Sequence, residues 1–337
     1  MLTRTSLVLL SAALALGLAA TVIVISSSPG VRAGPPPPVT ALDQASIRAA
    51  GRTIALPTLT VKGAQLVDPM GPGLAPPARI LAAAPDGSAV AMSRVDRGQV
   101  GPLTIAREDG SQLDIELPGV RGAAFDAPGT WLAVVDLAGA LWGVDAQSGA
   151  ASRLADGPYG SAPAVLADGR ILAIRLSSVD APTWAAAVMV DPSSGEESPV
   201  GSSGSQDQLV YQATPLSDGT IALVRHRTGG GVTLVRVRAD GSEAWLADLE
   251  DAPVVAISPD GQWLAWAASG RVRISRIDRG RLTRDLGDGT GARFSGDSSL
   301  VLLFGVTGTR VVDLNGNAVT EAGPAACWLG DGRGCQP

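Results

Sequence analysis

Val254-Val255-Ala256-Ile257-Ser258-Pro259-Asp260-Gly261-Gln262-Trp263-Leu264-Ala265-Trp266 is an apolar run, a tight turn and a second apolar run. Pro259 fixes φ near the value needed at the second position of a β-turn. The Asp260 carboxylate can accept from nearby backbone N–H groups, and Gly261 takes positive φ without a steric cost. The flanking residues are β-branched, aromatic or small and apolar, which favours strand–turn–strand over helix.

The turn recurs along the chain as Pro85-Asp86-Gly87, Ala127-Pro128-Gly129, Ala167-Asp168-Gly169 and Ser217-Asp218-Gly219, before Pro259-Asp260-Gly261. Its glycines are spaced 42, 40, 50 and 42 residues apart. A degenerate copy, Ser295-Gly296-Asp297-Ser298, puts serine where the glycine should be, and Gly330-Asp331-Gly332 is one more. A third run and a second turn repeat as well, as in Leu141-Trp142-Gly143-Val144-Asp145 before Ser148-Gly149. A short fourth run, such as Leu113-Asp114-Ile115-Glu116-Leu117, closes each unit. Four strands per period of about 40 residues is the pattern of a β-propeller blade, so the expected fold is all-β.

In these residues the chain resembles TolB and related WD-like bacterial proteins: Ser-Pro-Asp-Gly, an apolar strand, then a strand ending in Asp before a Gly turn. The resemblance covers residues 79–321 and implies a propeller; propellers host unrelated activities, so it implies no single function. The Trp-Asp dipeptide of WD-repeat strands does not occur, which turns the reading away from the intracellular subclass.

Six turn-centred repeats run from 79 to 321, and a seventh turn lies at Cys327–Gly334. Gly51-Arg52-Thr53-Ile54-Ala55-Leu56 resembles the strand that leaves such a turn at Gly169-Arg170-Ile171-Leu172-Ala173-Ile174. The expectation is therefore seven blades, the last shared between residues 52–67 and 325–335. The alternative is six blades, with 53–67 added as an outer strand to the last repeat. Shared closure removes exposed sheet edges.

The expected organisation is a signal peptide or anchor at 1–33, a proline-rich linker at 34–50 and the propeller at 51–337. Residues 7–25 are uncharged and apolar, long enough to span a bilayer as a hydrophobic helix, and Arg4 ahead of them favours a cytoplasmic N-terminus. Val31-Arg32-Ala33 is a small-residue cleavage site. Both readings export the rest of the chain. Gly34-Pro35-Pro36-Pro37-Pro38 is a stiff spacer, and residues 41–48 read as a short helix.

Net charge is −6 and Lys62 is the one lysine; the acidic balance argues against nucleic-acid binding. The sequence contains no Gly-x-Ser-x-Gly elbow, His-Glu-x-x-His or phosphate loop, and no cofactor or metal is implied. The sole histidine, His226, reads as a solvent-facing strand end, and Asp313-Leu314-Asn315-Gly316-Asn317 as an Asx-rich hairpin. Trp131 and Trp263, each two residues after a turn glycine, read as packing positions of the repeat. Against the acidic average, Arg271, Arg273 and Arg276 lie in one short stretch, and Arg225, Arg227, Arg236 and Arg238 in the preceding repeat. Alternation with apolar residues puts such arginines on one face of a strand. They are either a patch for an anionic partner or charge that protects sheet edges.

The function these readings support is a monomeric, non-catalytic, extracytoplasmic module that binds a protein or cell-envelope component. The alternatives are an enzyme with a central-channel site, of lyase, glycosidase or oxidoreductase type, and a small-ligand sensor. The innermost strands are small and apolar, as in Leu81-Ala82-Ala83-Ala84, which disfavours the enzyme.

Cys327 and Cys335 flank one turn, and an even pair in an exported chain forms a disulfide. Mass spectrometry of the unreduced C-terminal peptide should find it lighter than the reduced form by one pair of hydrogens; equal masses would exclude the bridge. The loop is short, so its loss should cost at most about 2–3 kcal/mol.

Overall fold

The computed structural model describes residues 42–49, 52–61, 64–67, 78–322 and 327–328, apart from short segments at 97–98, 108–110, 118, 161–162, 203–207, 228–230, 250–253, 278–282 and 306–308. All of them belong to the unit Pro37–Pro337. The hydrophobic run 7–25, the 31–33 site and Cys335 lie outside the described residues. Every regular element among the described residues is a strand.

Sheet A joins Leu42–Ala49, Arg52–Val61 and Ala64–Val67 to Cys327–Trp328, in that order. Sheet B is Ala78–Ala83, Ala89–Asp96, Gln99–Arg107 and Gln112–Ile115, and sheet C is Val120–Phe125, Trp131–Asp136, Leu141–Asp145 and Ala151–Ala155. Sheet D has eight strands in two halves. The first half is Ala164–Val165, Ile171–Leu176, Ala185–Val190 and Glu197–Pro199; the second is Gln208–Pro215, Ile221–Arg227, Val232–Val237 and Glu243–Leu249. Sheet E is Val254–Ile257, Trp263–Ala268, Arg271–Arg276 and Arg284–Asp288, and sheet F is Gly291–Phe294, Leu300–Phe304, Thr309–Asp313 and Ala318–Ala322. Within sheets B, C, E and F and each half of D, successive strands pair antiparallel. The halves of D are joined by one parallel pairing, Ala185 with Leu209.

The repeated turns form because their polar side chains satisfy their own backbone. Gly87 N donates to Ala84 O at 2.9 Å, and the same bond closes the turns at Gly129, Gly169, Gly219 and Gly261. The Asp86, Asp168, Asp218 and Asp260 carboxylates each accept from the backbone N–H two residues on, at 2.9–3.1 Å. The degenerate copy keeps this geometry: Ser298 N reaches Ser295 O at 2.9 Å, with Ser298 at φ 62°. Asp313 accepts from Asn315 N and Asn317 N at 2.8 and 3.0 Å, so that segment is the Asx hairpin expected from its sequence.

The core lies in the seams between sheets. Phe125 packs with Leu81, Leu103 and Ile105 of sheet B. Ile257 packs with Val224 and Leu234 of sheet D, and Phe294 with Val272 and Ile274 of sheet E. Each stands four residues before its turn position, 129, 261 or 298, and each faces the preceding sheet. Trp328 stands four residues before Gly332. It too faces the preceding sheet, packed with Leu300, Leu302 and Val311 at 1% exposure, and its indole N–H donates to Arg293 O at 3.2 Å.

The backbone of that closing strand pairs with the other end of the chain: Cys327 with Val67, and Trp328 with Leu66. Residues 42–49, which composition assigns to the linker and local propensity to a helix, are instead a strand paired with 52–59. Ala49 opposes Arg52. The two-residue connection ends on Gly51, a hairpin signal, and pairing with the strand rich in Thr, Ile and Leu overrides weak helix propensity.

Not every turn glycine is equally constrained. Gly219 and Gly195 both have positive φ, but a Cβ at Gly219 would meet nothing within 4 Å, while one at Gly195 would lie 2.4 Å from Leu154 O of sheet C. Gly219→Ala should cost about 1–2 kcal/mol from backbone strain. Gly195→Ala should cost about 1–3 kcal/mol more, because a main-chain carbonyl must move. Equal urea midpoints for the two variants would contradict this seam geometry.

Candidate functional site

The arginine rows are the charged feature that the sequence singles out, and the strands divide them among three seams. Val232 and Leu234 face the seam between sheets D and E, and Arg236 and Arg238 continue their alternation. From the other side, Trp266 and Ala268 face the same seam and pair with Arg273 and Arg271. These four arginines therefore flank the outer part of one seam. Arg271 and Arg273 are exposed between buried Val272 and Ile274.

Their charges are largely answered locally. Arg271 Nε donates to Asp285 Oδ2 at 2.6 Å and Nη1 to Asp288 Oδ1 at 3.2 Å. The bond to Asp285 raises the Arg271 pKa and lowers that of Asp285. Arg238 Nη1 donates to Ser242 Oγ at 3.2 Å. Arg236 Nη2 donates to the Gly261 carbonyl of sheet E at 3.1 Å, with Asp218 Oδ2 3.6 Å from Nη1. Arg276 faces the opposite seam and stacks on Trp263, 5.7 Å from the ring centre. Arg227 closes the strand Ile221–Arg227, its backbone opposite Gln208.

Arg225 lies apart from the surface rows. It is 5% exposed and faces the seam between the two halves of sheet D, as Leu223 does. Its Nη1 donates to Glu243 Oε2 at 2.8 Å and its Nη2 to Glu243 Oε1. Ser202 adds its N–H and Oγ–H to Oε1 at 2.6 and 2.9 Å. The Arg225 hydrogen bond, with those from Ser202, holds the Glu243 pKa down to about 2 against the cost of burial. The bidentate pair ties two strands of the second half of sheet D, Ile221–Arg227 and Glu243–Leu249, and the Ser202 bonds link it to the chain just beyond the first half; it is not a surface for a mobile anion.

A second set of contacts falls mostly outside the residues singled out from sequence, Arg284 of the arginine-rich stretch and the Asp313–Asn317 hairpin excepted. Arg107 Nη2 donates to Ala146 O and Gln147 O of sheet C, each at 2.6 Å. Arg284 donates to Leu314 O and Asn315 Oδ1 of sheet F, and Arg310 returns a bond to Leu286 O of sheet E. Between sheets C and D, buried Tyr159 donates its hydroxyl to Glu197, beneath the Arg175 guanidinium at 5.1 Å. A sequence signal existed for part of this set. Arg107-Glu108-Asp109-Gly110-Ser111 and Arg238-Ala239-Asp240-Gly241-Ser242 share one pattern, and in both the guanidinium bonds the serine hydroxyl.

His226 is exposed near its strand end. Trp131 lies over Gly143, where a Cβ would come within 2.8 Å of the ring. Trp142 donates to buried Asp136 at 2.9 Å. Trp245, on the outermost strand of sheet D, is 64% exposed. Ser148 N–H, Ser193 Oγ–H, Thr220 Oγ1–H and Ser242 Oγ–H hold Asp145, Asp191, Asp218 and Asp240 below the ordinary carboxylate range. Among the described residues no group of His, Cys, Asp and Glu is placed to hold a metal.

The comparisons with known proteins concern the fold. No family model matches the sequence, and no curated protein matches it. Among solved structures the chain is similar to the tricorn protease, at 11% identity over 80% of this chain and 34% of that one, with a TM-score of 0.56. It spans about a third of that protein. It is also similar to the Swd1 β-propeller domain of Myceliophteria thermophila (11% identity, 72% and 98% covered, TM-score 0.48). A manganese complex of oligogalacturonate lyase matches at 10% identity over 84% and 96%, with a TM-score of 0.47. At 11% identity the likeness to the tricorn protease, a β-propeller protein, is one of fold.

The Glu243 site has a defined pH signature. Its folded pKa is depressed from 4.5 to about 2. Its contribution to stability is therefore present above the unfolded value and is lost as pH falls through the folded one. Glu243→Gln should flatten the acid limb of the stability curve between pH 4.5 and about 2. At neutral pH, Glu243→Ala should cost about 3–5 kcal/mol, because it strands a buried guanidinium. Urea titrations at several pH values check both; a parallel acid limb in Glu243→Gln would show that the ion pair is uncoupled from folding.

Proposed function

We propose that this chain is an exported, non-catalytic β-propeller of seven blades that binds an anionic component of the cell envelope. Sheet A is the shared blade and each half of sheet D is one blade. Residues 7–25 either anchor it to the outer side of the cytoplasmic membrane or direct its release after Ala33. The Ser258-Pro259-Asp260-Gly261 turn and its degenerate copies support a TolB-like repeat. The pairing of Cys327–Trp328 with Leu66 and Val67 supports shared closure.

One observation carries the non-catalytic reading: many of the described ionisable side chains are committed to turns and seams. Turn aspartates bond their own backbone, and arginines bond carbonyls of neighbouring sheets. Of the arginine rows, Arg238, Arg271 and Arg273 stay at the surface beside one seam, Arg271 already paired with Asp285 and Asp288, and this is where an anionic partner would dock; Arg225 is withdrawn into the core.

The test has two arms. Fractionation of a C-terminally tagged protein should place it in the membrane or exported fraction, and full-length recovery in the cytosol refutes export. Binding to acidic vesicles should weaken with added salt, as exposed charge is screened, and a variant with Arg238, Arg271 and Arg273 all changed to Gln should lose most of it. Undiminished binding by that variant refutes the docking surface and leaves edge protection as the role of these residues.

A further inference from the structure

We infer that the N-terminal strands 42–67 form a strap that can leave and rejoin the ring as a unit, and that Trp328 holds the edge to which the strap is fastened. This rests on the seven-blade closure proposed above and adds a conformational role to it.

The topology separates this contact from the others. Around the ring, neighbouring sheets are covalently continuous through short connections, from Ile115 to Val120 or Asp288 to Gly291, for example. The strand Cys327–Trp328 is likewise close in sequence to sheet F, whose last strand ends at Ala322. Its contact with Ala64–Val67 is different, because it joins segments from opposite ends of the ring. Among the described residues it pairs Cys327 with Val67 and Trp328 with Leu66. Separating it opens the ring without breaking the backbone pairing of any other sheet, and leaves the strap held by the contacts of Leu42–Ala49 with Gln99–Arg107 and Gln112–Ile115 of sheet B. The three strands on the far side keep their own pairing, Leu42–Leu59 with its hairpin partners and Thr58–Val61 with Ala64–Val67.

The Trp328 side chain does not face the strap's partner strand. It is buried against sheet F beside Leu300, Leu302, Phe304 and Val311, and its indole is bonded to Arg293 O. The indole thus anchors the strand to sheet F while its backbone pairs with Leu66. The opposite part of the ring is tied more firmly: the halves of sheet D share a backbone pairing, and Ser202, just beyond the first half, bonds Glu243 of the second. The N-terminal segment enters at Leu42, on the outermost strand of sheet A. Tension on that segment therefore acts on the strap first.

Native-state hydrogen exchange on the full chain, across a series of low urea concentrations, tests this. In the wild type, the amides of Leu66, Val67 and Trp328 should exchange together through one partial opening, before those of Ala185–Val190. Trp328→Ala should speed exchange at Leu66 and Val67 by about 100- to 1,000-fold and leave Ala185–Val190 nearly unchanged. If Leu66 and Val67 exchange at the unprotected rate in the wild type, both the closure and the strap are refuted. If they are protected but open only with Ala185–Val190 in global unfolding, the closure stands and the strap is refuted. The wild-type series decides the matter even where Trp328→Ala does not fold.

Discussion

The central strands of these sheets are buried on both faces, and the rest of the architecture answers that constraint. Ala185–Val190 and Leu300–Phe304 are buried at every position, and Trp131–Asp136 at all but its first. Alternate residues of one strand enter different cores: Ala187 and Met189 pack within sheet D, while Val188 and Val190 pack toward sheet C. Four such strands cannot stand alone in water, because whichever face is left open exposes a continuous apolar surface. Each sheet therefore needs a neighbour on both sides, and a closed cycle meets that need with no terminal sheet.

Apolar packing is non-directional and does not fix how far one sheet slides along the next. The polar contacts supply that registration. Arg107, Arg236, Arg284 and Arg310 each reach across a seam to main-chain carbonyls. A guanidinium suits this task because its donors are planar and rigid, and its charge persists at any pH the protein meets. The scarcity of lysine thus has a structural use here, whatever its origin. Arg225 and Glu243 instead tie two strands of one half-sheet, with the guanidinium withdrawn from water.

Much of this order is legible in the sequence, because the turns are local. Pro259-Asp260-Gly261 and its copies announce both the hairpins and the period, and the Asp–backbone bonds form within two residues. The alternation of Arg271 and Arg273 with Val272 and Ile274 gives the exposed face correctly. What alternation cannot give is the partner. Arg225 follows the same pattern, yet a carboxylate 18 positions away draws it into the core. Leu42–Ala49 is obscure in sequence for a related reason: its strand character comes from the hairpin partner rather than from its own composition. Trp328 is visible in principle, since it occupies the repeat position of Phe125, Ile257 and Phe294, although only two residues of its strand are seen.

Closure also sets an order of events during synthesis. Val67 finds its partner in Cys327, about 260 residues later along the chain. At a translation rate of about 5–20 residues per second, the first-made strands wait on the order of 10–50 s for that edge to be filled. Throughout that interval Ala64–Val67 presents unpaired N–H and C=O groups, a template for any passing strand. The protein therefore places a demand on whatever shelters nascent chains in its compartment, and that demand is set by the distance between two pairing partners rather than by the stability of the finished ring.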